Sequence, residues 1–149
     1  MSIWFQKPSL ALCQELDQGL NQQGTVMQTL GIEICDIGNS HLSAKMMVQP
    51  CHHNPLGAVH GGVNVVLAET VASYAANFVV DFNQYYCVGQ EISASHVKAA
   101  HTGLLTARTT PFHLGKRSSV WDINIHDDNH HLVCIARMTA AVLQRSSIA

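Results

Sequence analysis

The chain has 149 residues, the size of one domain and enough to bury a substantial core. Hydrophobic residues make up 47% of it and charged residues only 12%, a thin surface for a monomer, so a homo-oligomer that hides apolar area is expected. A formal net charge of −2 argues against a nucleic-acid partner, and no stretch reaches the roughly 18 uncharged apolar residues of a membrane span. The opening segment shows no apolar run with a cleavage site, and the five cysteines are scattered without a CxxC pair. A reduced, cytoplasmic location with no disulfide framework and no zinc ribbon is therefore expected.

No internal repeat or linker interrupts residues 1–149, which read as a single domain. Residues 9–21 have Leu10, Leu12, Cys13, Leu16 and Leu20 near helical spacing behind Ser9, a candidate N-cap. Gly24 breaks this helix, and residues 25–30 allow one further turn. Ile32, Ile34 and Ile37 alternate with polar neighbours and predict a strand ending at Gly38-Asn39, with residues 42–48 as its hairpin partner. Residues 51–62, rich in His, Asn, Pro and Gly, read as a loop, and the Ala and Leu content of 63–80 predicts a long helix. Beyond it, 85–97, 103–112, 118–126 and 132–143 are strand-like, divided by turn clusters. The order of helix, two strands, long helix and four strands predicts an α+β architecture, one antiparallel sheet packed on one long helix.

The long helix is apolar nearly all round, which marks a buried element, yet it contains one charged residue, Glu69. An unpaired buried carboxylate is costly, so Glu69 needs a partner, a raised pKa or a chemical role. Ser73 lies one turn later on the same face. At the start of the helix, Gly61 and Gly62 let the backbone approach a ligand, and the free N–H groups there favour a developing oxyanion. Gly61 and Glu69 are eight residues apart, about 12 Å along a helix, so one carbonyl cannot touch both groups of one helix. A second copy must supply one of them, and two antiparallel copies of this helix would create two equivalent sites.

Asn54-Pro-Leu-Gly-Ala-Val-His-Gly-Gly62, followed by Val-Leu-Ala-Glu-Thr-Val-Ala-Ser73, resembles the hotdog-fold thioesterases. The nearest group is the branch that hydrolyses 4-hydroxybenzoyl-CoA, 1,4-dihydroxy-2-naphthoyl-CoA and related aryl thioesters. Val88-Gly-Gln-Glu-Ile-Ser-Ala-Ser-His-Val-Lys98 and Phe112-His-Leu-Gly-Lys-Arg-Ser-Ser-Val-Trp121 look like the same branch, so the likeness spans nearly the whole chain. It implies a hotdog fold, a sheet wrapped around the long helix, in dimers that pair into homotetramers with active sites at the subunit interface. Gly61 matches the backbone oxyanion donor with His60 beside it, and Glu69 matches the nucleophile or general base from the opposite subunit. Ser73 matches the hydroxyl that positions water or the acyl group, and Asn54 matches an amide that donates to the thioester carbonyl. Gly62, Val88, Gly89, His96, Lys98, Gly115, Lys116, Arg117 and Ser118 fall in the segments that meet substrate and CoA. One departure is Asn54, where the aryl-CoA branch usually has Gln and the phenylacetyl and longer-chain acyl relatives have Asn.

The implied reaction is hydrolysis of an acyl-CoA to free acid and CoA, with aryl or hydroxyaryl groups ranked first, phenylacetyl second and straight chains third. Coenzyme A belongs to the substrate, and no cofactor or metal is expected, because HExxH is absent and no carboxylate lies at ligand spacing from His52, His53 and His60. As a loop residue, His60 is expected to bond backbone and fix the turn rather than serve as the base. Alternatives are a proofreading thioesterase acting on a misacylated acyl carrier protein, a dehydratase of the same fold, and a non-catalytic acyl-CoA-binding protein.

Overall fold

The computed structural model describes residues 1–19 and 24–145. Helix α1 spans Leu10–Gly19 and a short α2 spans Val26–Leu30. Strands β1 (Ile32–Ile37) and β2 (Leu42–Met47) precede the long helix α3 (Gly61–Phe78), and β3 (Tyr85–His96), β4 (Leu104–Leu114), β5 (Ser118–His126) and β6 (Leu132–Gln144) follow it. The expected end of the first helix, residues 20–21, lies outside the described residues. Ser9 caps α1 by accepting the Leu12 N–H at 3.1 Å. Thr25 and Gln28 close a capping box on α2, and Gly31 ends it at φ 62°, a left-handed conformation that favours glycine.

The six strands form one antiparallel sheet in the order β1-β2-β4-β5-β6-β3. Period-two alternation decides which face packs inward: Ser119, Trp121, Ile123 and Ile125 of β5 are buried, and their neighbours are half-buried. Leu105 and Ala107 of β4, with Ala136, Met138 and Ala140 of β6, extend that face. Against it lies α3, whose Ala68, Ala72, Ala75 and Ala76 are fully buried beside Leu67 and Val71. Small side chains let the sheet curve closely around the helix, which defines the hotdog architecture.

Two expectations are corrected. The long helix begins at Gly61 rather than at residue 63, because His60 caps it and places both glycines in its first turn. It is also not buried all round: within one chain the sheet covers one side, so Glu69, Thr70, Ser73 and Asn77 remain half-buried on the other. The loop before it contains a 3-10 turn, Pro50–His52, and a bridge between His53 and Val59.

The N-terminal segment straps one end of the molecule. Trp4 Nε1 donates to the Gly38 carbonyl at 2.7 Å, and the Phe5 N–H donates to the Phe78 carbonyl at 3.0 Å. A second tie joins α3 to β3. Asn77 Nδ2 donates to the Cys87 carbonyl at 3.1 Å and to Ser73 O at 2.9 Å, while Asn77 Oδ1 accepts the Cys87 N–H at 2.8 Å. Burial raises the Cys87 thiol to about 11, so it stays neutral, donating to Ala76 O. No helix among the described residues is long and apolar enough to cross a membrane.

Replacing Asn77 by Ala leaves the Cys87 N–H and C=O without their side-chain partner and should cost about 2 kcal/mol of stability. A urea titration checks this; an unmoved midpoint would show that the tie between α3 and β3 is energetically idle.

Candidate active site

Gly61 is the first residue of α3, where helix geometry provides no intrahelical acceptor for its N–H. The His60 ring accepts the next amide instead, from Gly62 N to Nδ1 at 2.9 Å, and the Val63 N–H returns to the His60 carbonyl at 2.9 Å. His60 therefore fixes the turn, as the loop reading expected, and the Gly61 N–H remains without an acceptor among the described residues. His96, at the end of β3, lies over this glycine: a Cβ on Gly61 would come within 2.7 Å of its Nε2. Asn54 spends its side-chain oxygen locally, accepting the N–H groups of Leu56 at 2.9 Å and Ala58 at 3.3 Å, which shapes the loop. Among the described residues no acceptor takes the Asn54 carboxamide N–H donors.

His52 underlies this loop. It is buried, its Nδ1 accepts the Gln49 N–H at 3.0 Å, and burial, with the neighbouring His53, lowers its pKa. It is a neutral structural brace. Asn64 in the first turn of α3 is also buried, and its Oδ1 has no hydrogen-bond partner among the described residues.

Glu69 lies two turns further along α3, half-buried, and forms no ion pair among the described residues. Its carboxylate rests on β3: a Cβ on Gly89 would fall 2.6 Å from Glu69 Oε1. The need for glycine here is space, since the side chain occupies the volume that any other residue would fill. The β3–β6 register shifts between Gly89 and Glu91, a bulge beside the carboxylate. Ser73 Oγ donates to Met138 Sδ at 3.8 Å and faces a cavity of about 410 Å³. Leu12 and Leu16 of α1, Tyr74 and Phe78 of α3, and Phe82 and Tyr86 line most of it, with Asn77, Gln6 and Arg145 as further polar neighbours. Only long-range packing brings α1 and Arg145 to this cavity.

The expected site residues thus fall into two groups in one chain. Asn54, His60, Gly61, Gly62 and His96 gather at the N-terminus of α3. Lys98, two residues beyond β3, is exposed with Nζ 3.7 Å from Asp127 Oδ2. Glu69, Ser73, Val88 and Gly89 gather along the middle of α3 and the first half of β3. Ser118 joins the second group through the sheet, since it pairs with Ala141, which pairs with Val88. Gly115, Lys116 and Arg117 form the β4–β5 turn that leads into it, closed by Gly115 N to Ser118 O at 2.9 Å. Both cations of that turn are exposed.

Gly89→Ala should force the Glu69 carboxylate off its present rotamer while leaving the strand formed and the thermal midpoint within a few degrees. A crystal structure of that variant with Glu69 in the same place above an unmoved β3 would contradict the space argument.

The thioesterase superfamily model matches residues 56–134, which include both glycines of the α3 N-terminus and Glu69. The solved structure of a mutant of the thioesterase PA1618 from Pseudomonas aeruginosa is similar to this chain with a TM-score of 0.90. It is 38% identical and covers 97% of this chain and 100% of that one. The 1,4-dihydroxy-2-naphthoyl-CoA hydrolase of Escherichia coli is 36% identical over 95% of this chain and 99% of its own length. The proofreading thioesterase EntH of Cronobacter turicensis is 39% identical over 80% of this chain and 87% of its own. With more than half its length matched by the family model and its fold shared end to end with a solved thioesterase, the chain belongs to the thioesterase superfamily and is a thioester hydrolase.

Proposed function

We propose that the protein hydrolyses an acyl-CoA whose acyl group is aryl or hydroxyaryl, at sites shared between two copies of the chain. The observation that carries this reading is the division of the candidate residues into two groups held apart by one rigid helix. Gly61 and Glu69 are separated by about 12 Å of α3, too far for one carbonyl.

The edge of the sheet offers the means of joining them. β3 is a twelve-residue edge strand whose only carboxylate is Glu91, and Val88 is 41% exposed on it. Edges of that length are usually blunted by charge or covered. The opposite edge, β1, is six residues long and carries Glu33 and Asp36. Antiparallel pairing of two β3 edges about their midpoint brings the His96 end of one copy beside the Tyr85 end of the other. The α3 N-terminus of one copy then approaches Glu69 of its partner, twice per dimer. Dimers paired into tetramers accord with the low surface charge.

In such a site the thioester carbonyl oxygen is held by the Gly61 N–H, at the positive end of the helix, and by the Asn54 carboxamide. Glu69 of the partner copy either attacks the carbonyl carbon to form an anhydride or takes a proton from the attacking water. On both routes the C–S bond breaks, the thiol leaves as CoA, and water supplies the acid's oxygen and the two protons. His96 helps hold the donor end, and Ser73 orients water or the start of the acyl group. Lys98, Lys116, Arg117 and the β4–β5 turn are positioned for the CoA arm. The 410 Å³ cavity beginning at Ser73 takes the acyl group; its aromatic walls and its volume, within the usual range for small-molecule pockets, favour a ring system.

A second reading, removal of a wrong acyl group from a carrier protein, is favoured by the likeness to EntH and uses the same residues. The test is thiol release from aryl-, phenylacetyl- and straight-chain acyl-CoAs and from the matching acyl carrier proteins, for wild type and Glu69→Gln. Loss of about 100-fold or more in kcat with substrate still bound is expected for Glu69→Gln. Full activity in that variant would remove Glu69 from the mechanism, and a best substrate on the carrier would favour the second reading.

A further inference from the structure

We propose that Arg145 is a specificity-determining residue, whose guanidinium reads an acidic oxygen substituent at the far end of the acyl group. The inference rests on the reading that the cavity beside Ser73 holds that group.

Arg145 is a cation placed at the rim of a cavity walled mainly by carbon. Its backbone is fixed, with the N–H donating to the Gln84 carbonyl at 2.8 Å. Its guanidinium carbon lies 4.2 Å from the ring centre of Phe82 and 5.5 Å from that of Tyr86. Stacking on two rings restricts the long side chain and pre-positions its planar fork of donors. Phe82 itself is 44% exposed, which suits a platform better than a core residue.

The guanidinium also has no carboxylate partner among the described residues, whose ion pairs involve other cations. Other polar groups along this wall are already engaged. Asn77 uses both ends of its amide on Cys87 and Ser73 backbone, and the Ser73 hydroxyl donates to Met138, which leaves its oxygen only as an acceptor. Among the described lining residues, the donors left for a ligand at this rim include the Tyr86 hydroxyl, the neutral Gln6 amide and, as the one cation, Arg145.

Direction follows from the helix. Ser73 is one turn beyond Glu69, and Phe78 lies about 7 Å beyond Ser73 along the axis. An acyl group whose carbonyl carbon meets Glu69 passes Ser73 and then the aromatic walls before its far end reaches the rim. A phenolic or carboxylate oxygen there meets the guanidinium, from which it can accept hydrogen bonds; a plain hydrocarbon end leaves those donors unused.

An anionic oxygen at this rim has a second source, a phosphate of CoA, and the experiment separates the two. Kcat/KM is measured for benzoyl against 4-hydroxybenzoyl and 4-carboxybenzoyl thioesters, each on CoA and on N-acetylcysteamine, which has no phosphate. Wild type, Arg145→Gln and Arg145→Lys are compared, with Phe82→Leu removing the platform while keeping the charge. The preference of wild type for the oxygenated acyl group is expected to fall about tenfold in Arg145→Gln, equally on both thiols, with Arg145→Lys and Phe82→Leu intermediate. An unchanged ratio in Arg145→Gln overturns the proposal. So does a loss seen alike for all CoA thioesters and absent with N-acetylcysteamine, which would assign Arg145 to a phosphate. If Arg145→Gln does not fold, Phe82→Leu decides by the same ratio. If wild type cleaves none of these thioesters, the function proposed above fails, a result distinct from an insensitive ratio in an active enzyme.

Discussion

A rigid α-helix fixes the distance between the two groups that the proposed chemistry uses. The Gly61 N–H is available because it opens α3, and the Glu69 carboxylate is placed by the same helix two turns later. Bending or fraying could not close about 12 Å without breaking the bonds that make the helix. On the proposed mechanism, that constraint makes the catalytic unit larger than one chain. It would also account for two features: a Gly61 N–H with no acceptor among the described residues under His96 at one end, and a carboxylate resting on a bare Gly89 at the other.

The rest of the fold serves this separation. Alanines at four buried positions of α3 let the sheet wrap closely, so the helix axis is held against β2, β4, β5, β6 and β3 alike. The Asn77–Cys87 bonds then anchor the first half of β3 to the helix, two residues before the glycine that receives Glu69. β3 thereby becomes at once the wall of one half-site and the edge available to a second copy. Because β3 carries one candidate half-site near Gly89 and ends beside the other at His96, the proposed antiparallel pairing of two edges would unite unlike halves. Few arrangements of a single strand could do both.

Much of the fold was legible because its physics is local. Alternation in residues 118–126 gave β5 with its bounds, and the Ala-rich run gave α3 to within two residues. The helix-borne Glu69 and the paired glycines before it also marked a candidate functional region, since a lone carboxylate in an apolar helix is expensive. What escaped was set by packing between distant segments. Nothing near Arg145 in sequence announces that it will stack on Phe82, or that Leu12 and Leu16 will wall the cavity of Ser73. Asn54 was read for its capacity to donate; the structure adds that its oxygen is committed to the Leu56 and Ala58 amides. The burial inferred for Glu69 overreached for a physical reason: hydrophobic patterning registers how apolar a helix is, while within one chain the sheet covers one side of α3.

The central claim is that one working site takes Gly61 from one copy and Glu69 from another, and subunit mixing tests it most directly. Glu69→Gln and Gly61→Val are each expected to be inactive alone, the second because its side chain meets His96 and blocks the donor. After equal amounts are unfolded and refolded together, with mixed dimers verified by native mass spectrometry, every mixed dimer should hold one intact site. Activity should then return to about a quarter of wild type, since random pairing makes half the dimers mixed and leaves one site live in each. If mixed dimers form and activity stays at the level of the separate variants, each chain works with its own Gly61 and Glu69 and the account of a shared site is wrong.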